Sequence, residues 1–236
     1  MQTRVARLYG REDIRVETQD MRPPGPGEVL LTMAAGGICG SDLHYYQDGG
    51  FGPVRVREPI ICGHEASGHV AALGAGVSGL AIGQLVAVNP SQPCGHCHFC
   101  LKGEPIHCLE MRFMGSAMRL PHEQGMFRDR LVVPARQCAT FADDTSAAEA
   151  ACTEPLAVCL HAVAQAGDLK GAKVLVTGAG PIGLLTIAAA RHAGAATIVA
   201  TDLTDAALER APAMGADRTV NVAKDADSLL PYQENK

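Results

Sequence analysis

The sequence predicts a β-rich domain followed by an α/β domain with a doubly wound parallel sheet. Three observations lead there. Up to about residue 143, short apolar runs are punctuated by Pro and Gly, as in a compact β domain. Beyond it, apolar strand-like runs alternate with helical stretches, which is the pattern of parallel βαβ units. At that second region's first strand–helix junction stands a glycine-rich turn, Gly178-Ala179-Gly180-Pro181-Ile182-Gly183.

In the first domain, set at 1–143, strands are expected at Arg4–Tyr9, Ile14–Glu17, Val29–Ala34, Gly68–Leu73, Leu85–Asn89 and Arg130–Val133. Pro23-Pro24-Gly25-Pro26-Gly27 is the clearest turn. The second domain, 144–236, opens with Ser146-Ala147-Ala148-Glu149, a capping box in which Ser and Glu satisfy the free amides of a helix start. A second helix is expected from Pro155 to near Gly167, then strand Lys173–Thr177 and helix Pro181–Ala193. Strand Thr197–Thr201, helix Asp205–Met214 and strand Arg218–Val222 follow.

Composition bounds the function. The chain has 236 residues, 20 Lys+Arg against 25 Asp+Glu for a net charge of −5, and 47% hydrophobic residues with 19% charged. This excludes a disordered chain, and the acidic balance argues against a nucleic-acid partner. The N-terminus has no apolar segment of a secretory signal, and no run approaches the roughly 20 apolar residues of a membrane helix. A cytoplasmic protein without a membrane partner is the expectation. Its nine cysteines, an odd number, are then expected as metal ligands or small buried hydrophobes.

Cys94-x-x-Cys97-x-x-Cys100-x₇-Cys108 is the densest metal signal. Four thiolates this close can close a tetrahedron around zinc with no open position, a structural site. An iron–sulfur cluster is the rival, but its familiar spacing puts the fourth Cys three residues on, before Pro; here the gap is seven and Leu109 follows. Unligated thiols are the remaining alternative. His96, His98 and His107 then read as exposed loop residues, and Cys62, Cys138, Cys152 and Cys159 as buried small hydrophobes.

The glycine turn follows an apolar strand and opens a helix, the context a dinucleotide site requires. Gly178 makes the tight turn, Gly180 lets the backbone approach a pyrophosphate, and Gly183 lets helix and strand pack. Pro181 and Ile182 begin the helix, whose free amides face the phosphates. Asp202, at the end of the next strand, is placed to bind ribose hydroxyls and to repel a 2′-phosphate, so NAD is expected over NADP. An ordinary Gly-rich turn with a capping aspartate is the plain alternative.

Cys39, His64 and Glu65, taken singly, read as a buried thiol, a core histidine and a surface carboxylate. Together, Gly37-Ile38-Cys39-Gly40-Ser41-Asp42-Leu43-His44 and Gly63-His64-Glu65-Ala66-Ser67-Gly68, continuing to Gly74 and Val77, resemble the signature of the zinc-dependent medium-chain alcohol and polyol dehydrogenases. The Cys₄ loop and the glycine turn stand in the family's order, and the resemblance covers essentially the whole chain. One departure is Gln84, where the family usually has Asp.

The resemblance implies a GroES-like β domain followed by a Rossmann domain, with two zinc ions per chain and NAD. It implies that Cys39 and His64 hold a catalytic zinc with Glu65 or Glu154, the latter in Cys152-Thr153-Glu154-Pro155. It makes Ser41 and His44 a relay that carries the alcohol proton to solvent. Capping and exposed helix positions are the plain readings of those two.

Ser41–Tyr46 resembles the sorbitol, xylitol and L-idonate dehydrogenase branch, and Gly50–Arg55 and Gly115–Met118 look most like its L-idonate 5-dehydrogenases. The expected substrate is therefore a sugar acid or polyol: first L-idonate, oxidised at C5 to 5-ketogluconate, then sorbitol or xylitol. Arg55, Arg57, Arg112 and Arg119 are candidate cations for a carboxylate. A homo-oligomer is implied for the full-length form. A zinc-binding fragment or regulatory relative without catalysis is the alternative of another class.

A dinucleotide fold has about six strands in two halves, and three are readable here. The chain is therefore expected to carry only the first half of that domain. Residues 1–236 are expected to hold the Cys₄ zinc with little or no NAD-dependent oxidation.

Overall fold

The computed structural model describes residues 1–232, so the last residues of the second expected domain lie outside the described residues. The chain forms two compact units, Met1–Glu154 and Pro155 onward.

The first unit is built on two antiparallel sheets. β1 (Gln2–Gly10) and β2 (Asp13–Asp20) form a hairpin. Strands β3 (Glu28–Gly36), β4 (Ile60–Ile61), β5 (Ala66–Leu73), β6 (Leu85–Val88), β7 (Arg130–Pro134) and β8 (Cys138–Thr140) follow in chain order. The small sheet runs β2-β1-β4 and the large one β7-β3-β5-β6-β8. β-Branched and Leu side chains supply the large sheet's buried face: Val29, Leu31, Val70, Val86 and Val133 are almost wholly covered, the arrangement expected of a pleated surface with one face inward.

Helix α1 (Gly40–Asp48) leaves the end of β3, and α2 (His98–Leu101) lies inside the Cys₄ lobe. Helix α3 (Ala147–Ala151) starts on the expected capping box: the Glu149 amide donates to Ser146 Oγ and the Ser146 amide to Glu149 Oε2. It packs on β3, β5 and β6, and Ser67 Oγ donates to the Ala147 carbonyl at 2.6 Å. That packing places α3 with the first unit.

The second unit holds α4 (Thr153–Gln165, which begins at the unit boundary), β9 (Lys173–Thr177), α5 (Pro181–His192), β10 (Thr197–Asp202), α6 (Asp205–Leu208) and β11 (Arg218–Asn221). The strands are parallel in the order β9-β10-β11. Ile187, Ile198, Ala200 and Ala211 form its core.

Helix α6 is shorter than the expected Asp205–Met214. Pro212 has no N–H to give the Leu208 carbonyl, and its ring clashes there, so the segment turns instead. α4 likewise starts at Thr153, so Pro155 lies within its first turn. β9 is an edge, with Leu175 at 55% exposure. Of the leftover cysteines, Cys62 and Cys159 are buried, Cys138 is half-buried and Cys152 is exposed. The last corrects the expectation of burial, because Cys152 caps α3 at the bend into α4. Among the described residues no helix is long and apolar enough to cross a membrane.

Candidate active site

Two chain segments meet at the first site. Cys39 is the N-cap residue of α1, and His64 and Glu65 follow β4. The ligand atoms of Cys39, His64 and Glu65 all lie within 4.8 Å of one another. A thiolate, an imidazole and a carboxylate in this spacing suit zinc, which takes three protein ligands in a catalytic site and keeps one position open. Glu154 lies outside this tight group but within electrostatic reach of His64 and Glu65.

Asp42 holds the two segments together, and sequence reasoning missed its role. Asp42 is only 5% exposed. Oδ2 accepts the Cys39 amide and Oδ1 the Gly63 amide, each at 3.0 Å, and Oδ1 lies 3.9 Å from His64 Nδ1. A carboxylate behind a ligating His fixes ring orientation and tautomer. The legible signal was the spacing: an N-cap residue at 39 and an acid three places on is a capping box, and the structure forms it.

The charges support one another. A hydrogen bond with His64, and a lesser one with Ser41, holds the Cys39 thiol below its ordinary range despite burial. Burial pulls His64 down, but the bond to Cys39 and the nearby Asp42, Cys39 and Glu154 outweigh it, so its pKa is raised. Burial, with Glu65 adding to it and His64 opposing, raises Glu154.

Beside His64 lies a cavity of about 250 Å³, lined in part by Ser41, Phe113, Arg112, Arg119 and Glu123. Ser41 is thus on the cavity wall, and His44 is one helical turn along, exposed, with Nδ1 2.9 Å from Asp48. Of the four candidate cations, Arg112 and Arg119 line the cavity. Arg55 does not, and its guanidinium is bonded to the Gly52 and Val54 carbonyls. Arg57 does not line it either.

The Cys₄ lobe forms a second site. Cys94, Cys97, Cys100 and Cys108 have their sulfurs within 4.8 Å of one another. The Cys97–Cys100 and Cys94–Cys100 sulfurs are 3.6 and 4.0 Å apart. A zinc tetrahedron with Zn–S of about 2.3 Å needs roughly 3.8 Å, while a disulfide needs about 2 Å. Backbone amides already point at the sulfurs, Cys94 N at Cys108 Sγ and Cys97 N at Cys94 Sγ. The amides of Cys100 and Leu109 lower Cys97 to about 6, and the Cys94 amide lowers Cys108. Burial pushes Cys100 up to about 12, a penalty a bound cation removes. His96, His98 and His107 are exposed.

In the second unit Gly178 adopts φ 87°, open only to glycine without strain. A methyl on Gly183 would overlap the Gly178 carbonyl, so helix and strand meet as closely as a dinucleotide turn requires. Gly180 caps α5 without a side-chain bond, and Pro181 follows at its first turn. The helix start therefore keeps its amides free for an anion, with Ile182 half exposed beside them. Asp202 accepts the Ala179, Leu203 and Thr204 amides at 2.9, 2.7 and 3.1 Å, which hold its carboxyl below the usual range. It is thus tied to the glycine turn.

Comparison with known proteins agrees with both units. Residues 25–143 match the model of the alcohol dehydrogenase GroES-like domain, and residues 181–233 that of the zinc-binding dehydrogenases. The chain is 41% identical to L-idonate 5-dehydrogenase (NAD(P)(+)) of Escherichia coli over 92% of its length and 63% of the relative's. It is 38% identical to human sorbitol dehydrogenase, over 92% of this chain and 60% of the relative. The crystal structure of the Escherichia coli L-idonate 5-dehydrogenase superposes with a TM-score of 0.85 at 40% identity, covering 93% of this chain and 63% of that one. The chain thus spans about three fifths of the length of these relatives.

Proposed function

As the chain belongs to the zinc-dependent medium-chain alcohol dehydrogenases, we propose that it serves the NAD-linked oxidation of a secondary alcohol on a sugar acid or polyol. L-Idonate, oxidised at C5 to 5-ketogluconate, is the first candidate. The observation that carries the reading is the Cys39–His64–Glu65 group, whose His64 lines a small cavity that also presents Ser41. When bound, zinc would supply Lewis-acid polarisation of the alcohol and NAD would supply a hydride acceptor.

The chain's own residues do the rest. Cys39, His64 and a carboxylate hold the metal; Glu65, inside the tight group, is the better placed, and Glu154 stands behind it. Ser41 Oγ accepts the hydroxyl proton as it passes its own on toward solvent, and His44, exposed and paired with Asp48, is the carrier at the solvent end. Cys94, Cys97, Cys100 and Cys108 hold a structural zinc. Gly178, Gly180, Pro181, Ile182 and Gly183 cradle the pyrophosphate, and Asp202 takes the ribose hydroxyls. A homo-oligomeric, cytoplasmic full-length enzyme belongs to the same proposal.

A polyol such as sorbitol is the second reading. It is favoured by the Arg112–Glu123 pair, which makes that part of the cavity wall electrically neutral. Two measurements test the proposal. Metal analysis should find two zinc ions per chain, one lost in Cys39→Ala and the other in Cys97→Ser. In the full-length form, NADH formation should be faster with L-idonate than with sorbitol or xylitol. A wide margin for sorbitol would replace the first substrate by the second, and a single zinc indifferent to Cys39→Ala would remove the enzyme reading.

A further inference from the structure

The cavity wall contains two arginines and one glutamate, and they are not equivalent. Arg112 is compensated: its Nε donates to Glu123 Oε1, and Nη2 donates to the Pro121 carbonyl at 2.5 Å. Arg119 has no carboxylate partner among the described residues. Its Nε donates to the Met111 carbonyl at 2.9 Å and its Nη2 to the Leu109 carbonyl at 2.8 Å. Those bonds fix the plane of the guanidinium but leave its charge unneutralised, and Nη1 takes no part in them.

The position of this cation is also built. Leu109 and Met111 lie one and three residues past Cys108, so the acceptors that hold the guanidinium belong to the segment leaving the Cys₄ lobe. The Arg119 backbone is held from the other side by buried His122. Its Nδ1 donates to the Arg119 carbonyl at 2.7 Å, and its Nε2 accepts the Arg57 amide at 2.9 Å. Such a cation has little side-chain freedom left to lose when an anion arrives, and a planar guanidinium matches a carboxylate.

Resting on the alcohol-dehydrogenase reading of this cavity, we propose that Arg119 determines substrate charge. It receives the carboxylate of a sugar acid at the end of the molecule remote from the reacting hydroxyl, and the neutral Arg112–Glu123 pair faces the hydroxyls between. The structure thereby selects one of the four arginines that sequence reading offered, and an aldonate over an uncharged polyol.

The test compares binding and turnover in the zinc-loaded chain, using L-idonate and D-gluconate as anions and sorbitol as the uncharged probe. In calorimetric titrations, Arg119→Gln should weaken both aldonates about ten- to a hundredfold, the scale of a hydrogen bond between charged groups. Sorbitol should move less than about twofold, and Arg119→Lys should recover part of the loss. Equal weakening of aldonates and sorbitol would reduce Arg119 to a brace for the Leu109–Met111 segment and overturn the proposal. Failure of the unaltered chain to bind either aldonate would also overturn it. NADH formation is scored separately. Arg119-dependent aldonate binding without oxidation by the full-length form sustains this inference and removes the oxidation reading, and aldonate oxidation by that form indifferent to Arg119 does the reverse.

Discussion

Asp42 shows how much a single buried carboxylate can settle. The amides of Cys39 and Gly63, 24 residues apart, converge on its two oxygens, and one of these oxygens also faces His64 Nδ1. Asn at this position offers one acceptor oxygen and one NH₂ group, so one amide must face a donor. Asp42→Asn should therefore lower zinc affinity at Cys39 and His64 by about ten- to a hundredfold while the Cys₄ zinc stays bound, as competition with a chelating dye and metal analysis would read. A loss of both metals together would mean that the substitution had unfolded the unit. Glu28 gives a prediction in pH. The Arg22 guanidinium first, then the Gly25 amide at 2.8 Å, hold its carboxyl down at about 2. A carboxylate whose pKa is lower folded than unfolded stabilises above its unfolded value, and that contribution fades as the pH falls from about 4.5 to about 2. Arg22→Gln should flatten that part of the acid unfolding curve, followed by circular dichroism, by lowering stability above about pH 4.5 and leaving it unchanged below about 2, and the drop should be small because Arg22 is largely exposed. An unaltered acid limb would show that the pair contributes nothing in solution.

At the scale of elements, the glycine turn between β9 and α5 is the most exacting joint. The Gly183→Ala methyl would meet backbone, the Gly178 carbonyl, which cannot swing aside as a side chain can. Overpacking of this kind costs about 1–3 kcal/mol. It should lower the melting temperature of the second unit and weaken NADH binding, read by differential scanning calorimetry and by a fluorescence titration of NADH. Unchanged NADH affinity in a destabilised variant would separate packing from phosphate recognition. This joint was legible in the sequence because all its determinants lie within a few residues, and so do those of the Cys₄ lobe and the Ser146–Glu149 capping box. The stop of α6 was legible too, in Pro212, but the apolar run through it was read as continuous helix. Cross-chain pairings left no local trace. Arg57 meets His122 across 65 residues and Ser67 meets Ala147 across 80. The Arg112–Glu123 pair also depends on how the wall loop folds back. Gln84 stands between the two cases: it replaces an expected Asp, yet its Oε1 accepts the Ala81 amide at 2.9 Å within the same turn.

At the scale of the molecule, the two units keep separate accounts of burial and of metal. The cores of the first unit draw on residues from Leu8 to Cys138, and the core of the second on residues from Val163 to Ala216, with none shared. Both groups of metal ligands with buried members, Cys39–His64–Glu65 and the four cysteines, belong to the first unit. A ligand that binds only the folded state stabilises it by mass action, so zinc should stabilise the first unit alone. Units with separate cores are also free to melt separately, which breaks two-state behaviour for the chain as a whole. Calorimetric heating should accordingly resolve two transitions. Removing zinc with a chelator should move one of them down by several degrees and leave the other in place, whereas NADH should raise the one that zinc does not touch. Cys97→Ser should reproduce part of the chelator's shift in the first transition, and Gly183→Ala should lower only the second. A single transition, shifted as a whole by chelator, NADH and both substitutions, would show that the units unfold as one cooperative body and that separate cores do not amount to separate stabilities.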